Sequence, residues 1–197
     1  MRALRSFPLA VALLLILVPL GGSGATAVTS VGDQASRYAD STAEAATPTT
    51  PTIRERRAAS KRAKAERKVI QLTNKKRVKK GCKKVALHPA LRRAARKHTR
   101  LMAEHGASDP NDGLSHQLPG EPSLRKRIVR AGYQKPRILS ENVAYNSNPS
   151  PAVVVRAWMD SPYGHRENIL NCSVRHIGVG LVISNGVAWW TQNFGRR

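Results

Sequence analysis

Long apolar segments are almost absent from this 197-residue sequence. The one extended apolar run covers residues 8–20. It is too short to cross a bilayer as a stable helix, and no other segment is long enough to span a membrane. Arg2 and Arg5 precede the run and the small residues 25–27 follow it, which is the order of a secretory signal peptide. We therefore predict a signal peptide over residues 1–27 and a secreted, extracellular protein, with a retained N-terminal anchor as the alternative.

Cysteine is equally rare, because Cys82 and Cys172 are the only two. An even pair of cysteines in an exported chain most often forms a disulfide, and two free buried thiols are the alternative. A bridge would close a loop of about 90 residues, which the chain-entropy model values at about 4–5 kcal/mol as an upper figure. We interpret both residues as structural and not as catalytic thiols.

Acidic side chains are few, with 12 Asp and Glu against 34 Lys and Arg, and the net charge is +22. The excess is concentrated between Arg54 and Arg100, where twenty basic residues accompany two acidic ones. Such a segment attracts polyanions through screened Coulomb forces. For an exported protein this predicts that residues 53–100 bind an anionic cell-wall polymer or a membrane surface. A solvated, partly disordered arm is the alternative. We predict no specific nucleic-acid partner and a monomer.

Composition along the chain predicts where the folded domain begins. Residues 28–52 are rich in Ala, Ser and Thr and hold too few large apolar side chains to offset the entropy of ordering, so we predict a disordered linker. Thr52 has the position of a helix N-cap, and the helix is expected to run to about Lys80. Its first turns lack an apolar face. Residues 53–65 are therefore predicted as a basic helical extension and residues 66–197 as the domain.

The domain alternates helical and extended patterns. The patterns predict four helices, at residues 89–105, 122–131, 150–159 and 165–170. They also predict one isolated strand at residues 139–146. Two β-rich runs, 176–183 and 187–194, flank Asn185-Gly186, which supplies the positive φ angles of a tight hairpin. These elements predict an α+β fold, a small antiparallel sheet flanked by helices.

Side chains of the hairpin give two finer expectations. Gly178 and Gly180 lie on one face of a strand, which predicts that a helix or another backbone packs closely there. Trp189 and Trp190 are adjacent and therefore point to opposite faces. Because at most one face of the hairpin is expected to be buried, one of these tryptophans should be exposed.

The helices give further expectations. Ser-Pro pairs at residues 150–151 and 161–162 each have the pattern of an N-cap followed by a first helical residue. His98 lies on an apolar helix face, which favours a satisfied core histidine over a ligand. The buried face of the helix at 150–159 is predicted from its spacing to hold Val154, Ala157 and Trp158, and Val155 is a further candidate.

Three residues in loops or at element ends have side chains suited to chemistry. His116, Glu141 and His165 offer imidazole and carboxylate ligands for Zn²⁺ or a similar divalent cation. The same groups could act as a general acid–base pair. They lie 25 and 24 residues apart, unlike the short spacing of a helical metal motif. Spacing alone is therefore a weak indication of a shared site.

Five short motifs together resemble the bacterial branch of the CAP superfamily, whose domains are also called SCP-like extracellular domains. The motifs are Ser115-His116, Ser140-Glu-Asn-Val-Ala144, Ser161-Pro-Tyr-Gly-His-Arg-Glu-Asn-Ile-Leu170, His176-Ile-Gly-Val-Gly180 and Trp189-Trp-Thr-Gln-Asn-Phe-Gly195. The resemblance covers residues 66–195 and implies a CAP-type α-β-α sandwich with a central cleft. It implies that His116, His165 and Glu141 lie in that cleft and bind a divalent cation. It also implies that the cleft can take a lipid or another small apolar ligand.

The sequence departs from the family pattern at two positions. Ser161 stands where eukaryotic members carry a second cleft glutamate, which removes one potential metal ligand. Tyr163 is an additional residue compared with the usual bacterial motif, and either lines the cleft or packs on the surface. Asn142 and Asn168 complete the residues expected to line the cleft. The resemblance also implies that Cys82 and Cys172 tie the first helix to the loop before the hairpin.

These observations favour a secreted CAP-domain protein whose His/Glu cleft binds a divalent cation or a small apolar ligand, without established catalysis. One alternative is a divalent-metal-assisted hydrolase of peptide or cell-wall substrates, in which Glu141 would be the candidate catalytic base. Another is adhesion of the basic arm to anionic wall polymers.

Overall fold

A four-stranded sheet forms the middle layer of the domain. The computed structural model describes residues 50–197, so the predicted signal peptide and most of the predicted linker lie outside the described residues. The strand order is β1-β3-β4-β2, with β1 parallel to β3 and the other pairs antiparallel. The strands are β1 Ala86–Leu87, β2 Ile138–Asn146, β3 His176–Ser184 and β4 Val187–Arg196. Strand β2 is therefore an edge of the sheet.

Six helices surround the sheet within the described residues. They are α1 Ile53–Lys79, α2 Pro89–His105, α3 Pro110–Gly113, α4 Leu124–Arg130, α5 Pro151–Asp160 and α6 His165–Leu170. The single turn α3 lies in a segment that the sequence predicts as a loop; it begins where the Asp109 side chain accepts a hydrogen bond from Asn111 N at 2.8 Å. In this part of the chain, no helix combines the length and the apolarity needed to span a membrane.

Helix α1 begins at the predicted cap. Thr52 and Glu55 form a reciprocal capping box, in which Glu55 N donates to Thr52 Oγ1 and Thr52 N donates to Glu55 Oε2. The first buried side chain of α1 is Glu66, which pairs with Arg96 of α2. The turns before it are mostly exposed. The buried contacts of α1 therefore begin at Glu66.

The hairpin forms as predicted, with Asn185 at φ 50° and Gly186 at φ 74°. Helix α2 packs directly on the predicted glycine face of β3. A Cβ added at Gly178 would overlap the backbone of Leu91 and Arg92, and one at Gly180 would lie 2.7 Å from the backbone carbon of Ala95. The predicted close approach is confirmed, and it fixes the position of α2 on the sheet.

Helices cover both faces of the sheet, so the predicted α-β-α sandwich is confirmed. Trp190 packs with side chains of α1, α5 and α6 on one face. Trp189 packs with Met102 and Ala103 of α2 on the other. Both tryptophans are buried, so the expectation that one would be exposed is wrong. That expectation treated the hairpin as buried on one face only, whereas helices cover both of its faces.

The two Ser-Pro pairs do not act as side-chain caps. Ser150 precedes α5 without a capping hydrogen bond from its side chain. Helix α6 starts only at His165, after Gly164 in the left-handed conformation at φ 81°. The Ser161 hydroxyl instead accepts from Tyr163 N at 3.2 Å within the turn. On α5, Met159 is buried and Ala157 is exposed, contrary to the predicted face.

One corner of the domain is held by a buried arginine and the disulfide. Cys82 and Cys172 are bridged, with their Cα atoms 4.9 Å apart, so the predicted pairing is confirmed. The Arg77 guanidinium, fully buried at the end of α1, donates to four backbone carbonyls on both sides of this bridge. Its acceptors are the carbonyls of Lys83, Ile169, Asn171 and Val174, at 3.1, 2.7, 2.8 and 3.4 Å.

Candidate functional site

Glu141 is the centre of a buried polar cluster at the edge of the sheet. Its side chain, on β2, is 1% exposed. Oε1 lies 3.1 Å from His116 Nδ1 and 3.2 Å from Arg127 Nη2. Asn193 of β4 is paired with Glu141 in the sheet register, and with its amide nitrogen facing the carboxylate it donates to Oε2 at 2.9 Å. Both carboxylate oxygens therefore already accept hydrogen bonds from the protein.

A second buried carboxylate, Glu121, lies beside this cluster. His98 of α2 places Nδ1 2.9 Å from the Glu121 carboxylate, while His98 Nε2 donates to Ser115 O at 2.9 Å. His98 Nε2 is also 3.8 Å from Glu141 Oε1. The expectation of a satisfied core histidine is confirmed for His98. Because Ser115 adjoins His116, this contact also positions the loop that carries His116.

Helix α6 brings His165 to the opposite side of the same sheet edge. Asn142, adjacent to Glu141 and fully buried, donates from Nδ2 to His165 O at 3.0 Å. Asn168 Nδ2 donates to Asn142 Oδ1 at 2.8 Å and to Glu141 O at 3.2 Å. These amides fasten the start of α6 to β2.

The two histidines differ in exposure but influence each other. The His116 side chain is 59% exposed, and His165 is half-buried. Burial lowers the pKa of His165, the charge of His116 lowers it further, and Glu167 acts in the opposite direction. The two imidazoles therefore lie within electrostatic reach of each other. Since its pKa is lowered, His165 stays neutral to a lower pH than a free histidine does.

Hydrogen bonding indicates which ring nitrogens are available. A carboxylate only accepts, so His116 Nδ1 carries the proton shared with Glu141, and in the neutral form of the ring the lone pair is then on Nε2. His165 Nδ1 lies 2.8 Å from the Ser161 hydroxyl. If Nδ1 donates to that oxygen, the lone pair of His165 is likewise on Nε2. In these tautomers each ring offers its Nε2 lone pair as a ligand for a divalent cation.

The three predicted ligands are not grouped as a three-ligand centre. Within residues 50–197, no three His, Cys, Asp or Glu side chains are arranged so that they could hold a metal ion. The Glu141 oxygens already accept hydrogen bonds from Arg127, Asn193 and His116. The donor set fits a site with two imidazole ligands and open positions, in which Glu141 supports His116 instead of ligating.

Tyr163 is 84% exposed. Gly164 absorbs the additional residue by its positive φ angle, so His165 still begins α6. Ser161 occupies the position of the absent glutamate and contacts His165.

Sequence reasoning missed most of the residues that surround Glu141. Glu121 and Arg127 belong to no motif, and Asn193 lies in the motif of residues 189–195 without a role assigned to it there. The approach of all three to Glu141 depends on the packing of α2 and α4 against β2 and β4. Glu121 is the missed residue that the sequence could most readily have indicated, because it is one of only 12 acidic residues in a basic chain. The missed residues are Glu121, Arg127 and Asn193.

Two proteins of Bacillus subtilis strain 168 are similar to this chain in sequence. "Uncharacterized protein YkwD" is 37% identical over 131 residues, which are 66% of this chain and 46% of that protein. "Uncharacterized membrane protein YlbC" is 33% identical over 133 residues, which are 68% of this chain and 35% of that protein. The chain thus spans less than half the length of these curated relatives.

Solved structures share the fold. An extracellular protein containing a SCP domain from Bacillus anthracis superposes with a TM-score of 0.62 at 24% identity, covering 77% of this chain and 45% of that one. An outer surface protein from Borrelia burgdorferi gives 0.56 at 21% identity, covering 66% and 90%. The family model "CAP: Cysteine-rich secretory protein family" matches residues 70–194. With the sandwich and the motifs already described, that match shows that the chain belongs to the CAP family.

Proposed function

We propose that the cleft of this CAP-domain protein binds a divalent cation, Zn²⁺ or a similar ion, through His116 and His165, without catalysing a reaction. The observation that carries the proposal is the hydrogen bond between His116 Nδ1 and Glu141 Oε1 at 3.1 Å. A carboxylate behind a histidine is the usual support of a metal-bound imidazole, because it fixes the tautomer and the orientation of the ring. Glu141 would be this second-layer residue.

The surroundings of His165 support the same assignment. A metal ligand must be neutral, and the lowered pKa of His165 keeps its ring neutral below the pH at which an ordinary histidine protonates. With Nδ1 donating to the Ser161 hydroxyl, Nε2 is left for the cation. Two protein ligands leave positions for water or for an external ligand, so binding should be weaker than at a closed four-ligand site.

The hydrolase alternative has less support from the geometry. A general base needs a carboxylate within reach of a substrate or a water molecule. The Glu141 side chain is 1% exposed and already accepts hydrogen bonds from His116, Arg127 and Asn193. Its surroundings favour a positioning role for this carboxylate over proton abstraction. The polar side chains around it also favour a cation over an apolar ligand at this position.

Zinc titration of the purified protein by calorimetry tests the cation site. We expect one site in the wild type, its loss in His116→Ala/His165→Ala, and roughly 10–100-fold weaker binding in Glu141→Gln. His105→Ala is the matched control, because His105 is exposed on α2 and contributes to neither histidine contact. Equal binding by the wild type and the double variant would contradict the proposal.

Secretion belongs to the same proposal. The Cys82–Cys172 bridge suits an oxidising compartment, and the two structural relatives are named as an extracellular protein and an outer surface protein. The predicted signal peptide is consistent with these observations.

The exposed half of α1 supports a second function, adhesion to an anionic wall polymer or membrane surface. Six basic side chains extend from the domain on the turns before Glu66, and all are exposed. A basic helix of this kind attracts a polyanion through forces that salt screens. The six residues are Arg54, Arg56, Arg57, Lys61, Arg62 and Lys64.

Replacing these six residues by glutamine should reduce retention on a polyglutamate resin. Glutamine preserves helix propensity, so the loss of charge is the main change. We expect the variant to elute at a clearly lower NaCl concentration than the wild type, because screening competes with fewer ion contacts. Elution of both proteins at the same salt concentration would show that another surface is responsible.

A further inference from the structure

A second pair of histidines lies where β3 begins and α2 starts. His88 precedes α2 and caps it, because its Nδ1 accepts a hydrogen bond from Ala90 N at 3.2 Å. His176 is the first residue of β3, and the centroids of the two imidazole rings are 5.2 Å apart. The Tyr133 ring packs against both, with its centroid 4.7 Å from that of His88 and 5.7 Å from that of His176. These three side chains have no part in the proposed cation site.

Hydrogen bonding assigns the protons on both rings. Since His88 Nδ1 accepts from a backbone amide, the proton of the neutral ring is on Nε2. Burial raises the pKa of Tyr133, so its phenol keeps its proton. Within residues 50–197, the hydroxyl of this fully buried tyrosine has one partner, His176 Nδ1 at 2.8 Å. Buried donors are nearly always satisfied, so the hydroxyl donates to Nδ1 and the proton of neutral His176 is also on Nε2.

Both Nε2 atoms are accessible to a ligand. His88 and His176 are half-buried residues. In the part of the chain that the structure describes, their ring hydrogen bonds involve Nδ1 and leave Nε2 without a protein acceptor. Neither Nε2 is among the fully enclosed polar atoms that lack a partner. Two N–H donors from neighbouring rings therefore face solvent.

The surroundings of this pair are positively charged. The Arg197 guanidinium carbon lies 5.6 Å from the centroid of the Tyr133 ring. Burial lowers the pKa of both imidazoles, and the charge of Arg197 lowers both further, while Arg93 also acts on His88. Among residues 50–197, no Asp or Glu side chain forms an ion pair with either arginine. Such uncompensated positive charge favours an anion and disfavours a metal ion.

We propose that a histidine–arginine site, formed by His88, His176, Arg93 and Arg197, binds a phosphate group. A phosphate offers several acceptor oxygens, which can accept from both Nε2–H groups and from a guanidinium at the same time. Its charge would supply the missing partner for the two arginines. The site shares no residue with the histidine cleft or with the exposed half of α1. Failure of either function proposed above would therefore leave it unaffected.

Nitrogen-15 spectra of the histidine side chains, recorded near neutral pH with EDTA, test this site. Chloride is replaced stepwise by inorganic phosphate at constant ionic strength, which separates binding from screening. We expect saturable shifts of the Nε2 signals of His88 and His176 and a raised pKa of both, because a bound anion stabilises the imidazolium. His105, exposed on α2, should not respond. Shifts that do not saturate, or an equal response of His105, would overturn the proposal.

Glycerol 3-phosphate, titrated in the same way, distinguishes two sources of the phosphate group. Binding as tight as that of inorganic phosphate would identify a phosphate carried on a larger molecule as a ligand. Clearly weaker binding would identify the free ion.

Two substitutions locate the site. Arg197→Gln, at an exposed position, should weaken phosphate binding by roughly two- to fivefold, as expected for one exposed charge contact. His88→Asn removes the Nε2 donor but keeps the helix cap, since asparagine is a preferred N-cap residue. The double variant should show no saturable phosphate binding. Arg100→Gln is the matched control, because Arg100 is exposed on α2 and does not act on either imidazole. Wild-type affinity in the double variant, or an equal loss in Arg100→Gln, would contradict the assignment.

Discussion

Replacing Cys82 and Cys172 together by serine should lower the free energy of unfolding by about 4–5 kcal/mol at most, the largest effect we expect from any change in this domain. The bridge joins residues 90 positions apart, and removing it releases a long loop in the unfolded chain. Because a small domain has a total stability of about 5–15 kcal/mol, this loss is a large part of the whole.

Urea denaturation of the wild type and the double variant, with and without reducing agent, measures this effect. Reduction should destabilise the wild type by a similar amount and leave the variant unchanged, because only the wild type carries the bridge. A difference below about 1 kcal/mol between the oxidised wild type and the variant would show that the loop is already constrained in the unfolded state.

Arg77→Met should cost about 3–5 kcal/mol, the second largest effect. The buried guanidinium donates to carbonyls of Lys83, Ile169, Asn171 and Val174, and methionine would remove all four hydrogen bonds. Asn171 O and Val174 O would each keep one other donor, Val174 N and Arg175 Nη1 respectively. The loss should exceed that of a single neutral hydrogen bond because several acceptors depend on one side chain. The midpoint of urea denaturation compared with the wild type gives the value.

Lys79→Met is the control for the arginine, since Lys79 is exposed in the same last turn of α1 and should change stability by less than about 0.5 kcal/mol. A similar small effect for Arg77→Met would refute the structural role of the guanidinium. Combining Arg77→Met with the cysteine double variant should change the free energy of unfolding by an amount that differs from the sum of the separate changes. The reason is that Asn171 and Val174 flank Cys172, so the guanidinium and the disulfide hold the same segment.

Features set by a few neighbouring residues were predictable from the sequence. The helix N-cap at Thr52, the Asn185-Gly186 turn and the glycine face of β3 each follow from backbone chemistry that neighbours in the chain determine. The disulfide followed from the rarity of cysteine together with the family resemblance.

Features that depend on contacts between distant segments were not predictable. Burial of both Trp189 and Trp190 requires knowing that helices cover two faces of the sheet. The surroundings of Glu141 arise because β4 brings Asn193 opposite it and α4 brings Arg127 to it. Sequence motifs gave His116, Glu141 and His165 as candidate site residues. They did not indicate that the carboxylate is already occupied, which changes its expected role from ligand to support.

Nitrogen-15 spectra of the histidine side chains, recorded before and after addition of one equivalent of Zn²⁺, test the two-histidine cation site most directly. We predict that free His116 carries its proton on Nδ1, as the hydrogen bond to Glu141 requires. Zinc should then shift Nε2 of His116 and of His165 together while the signals of the other histidines stay in place. A His116 protonated on Nε2, or a zinc titration that leaves these two Nε2 signals unchanged, would contradict the site.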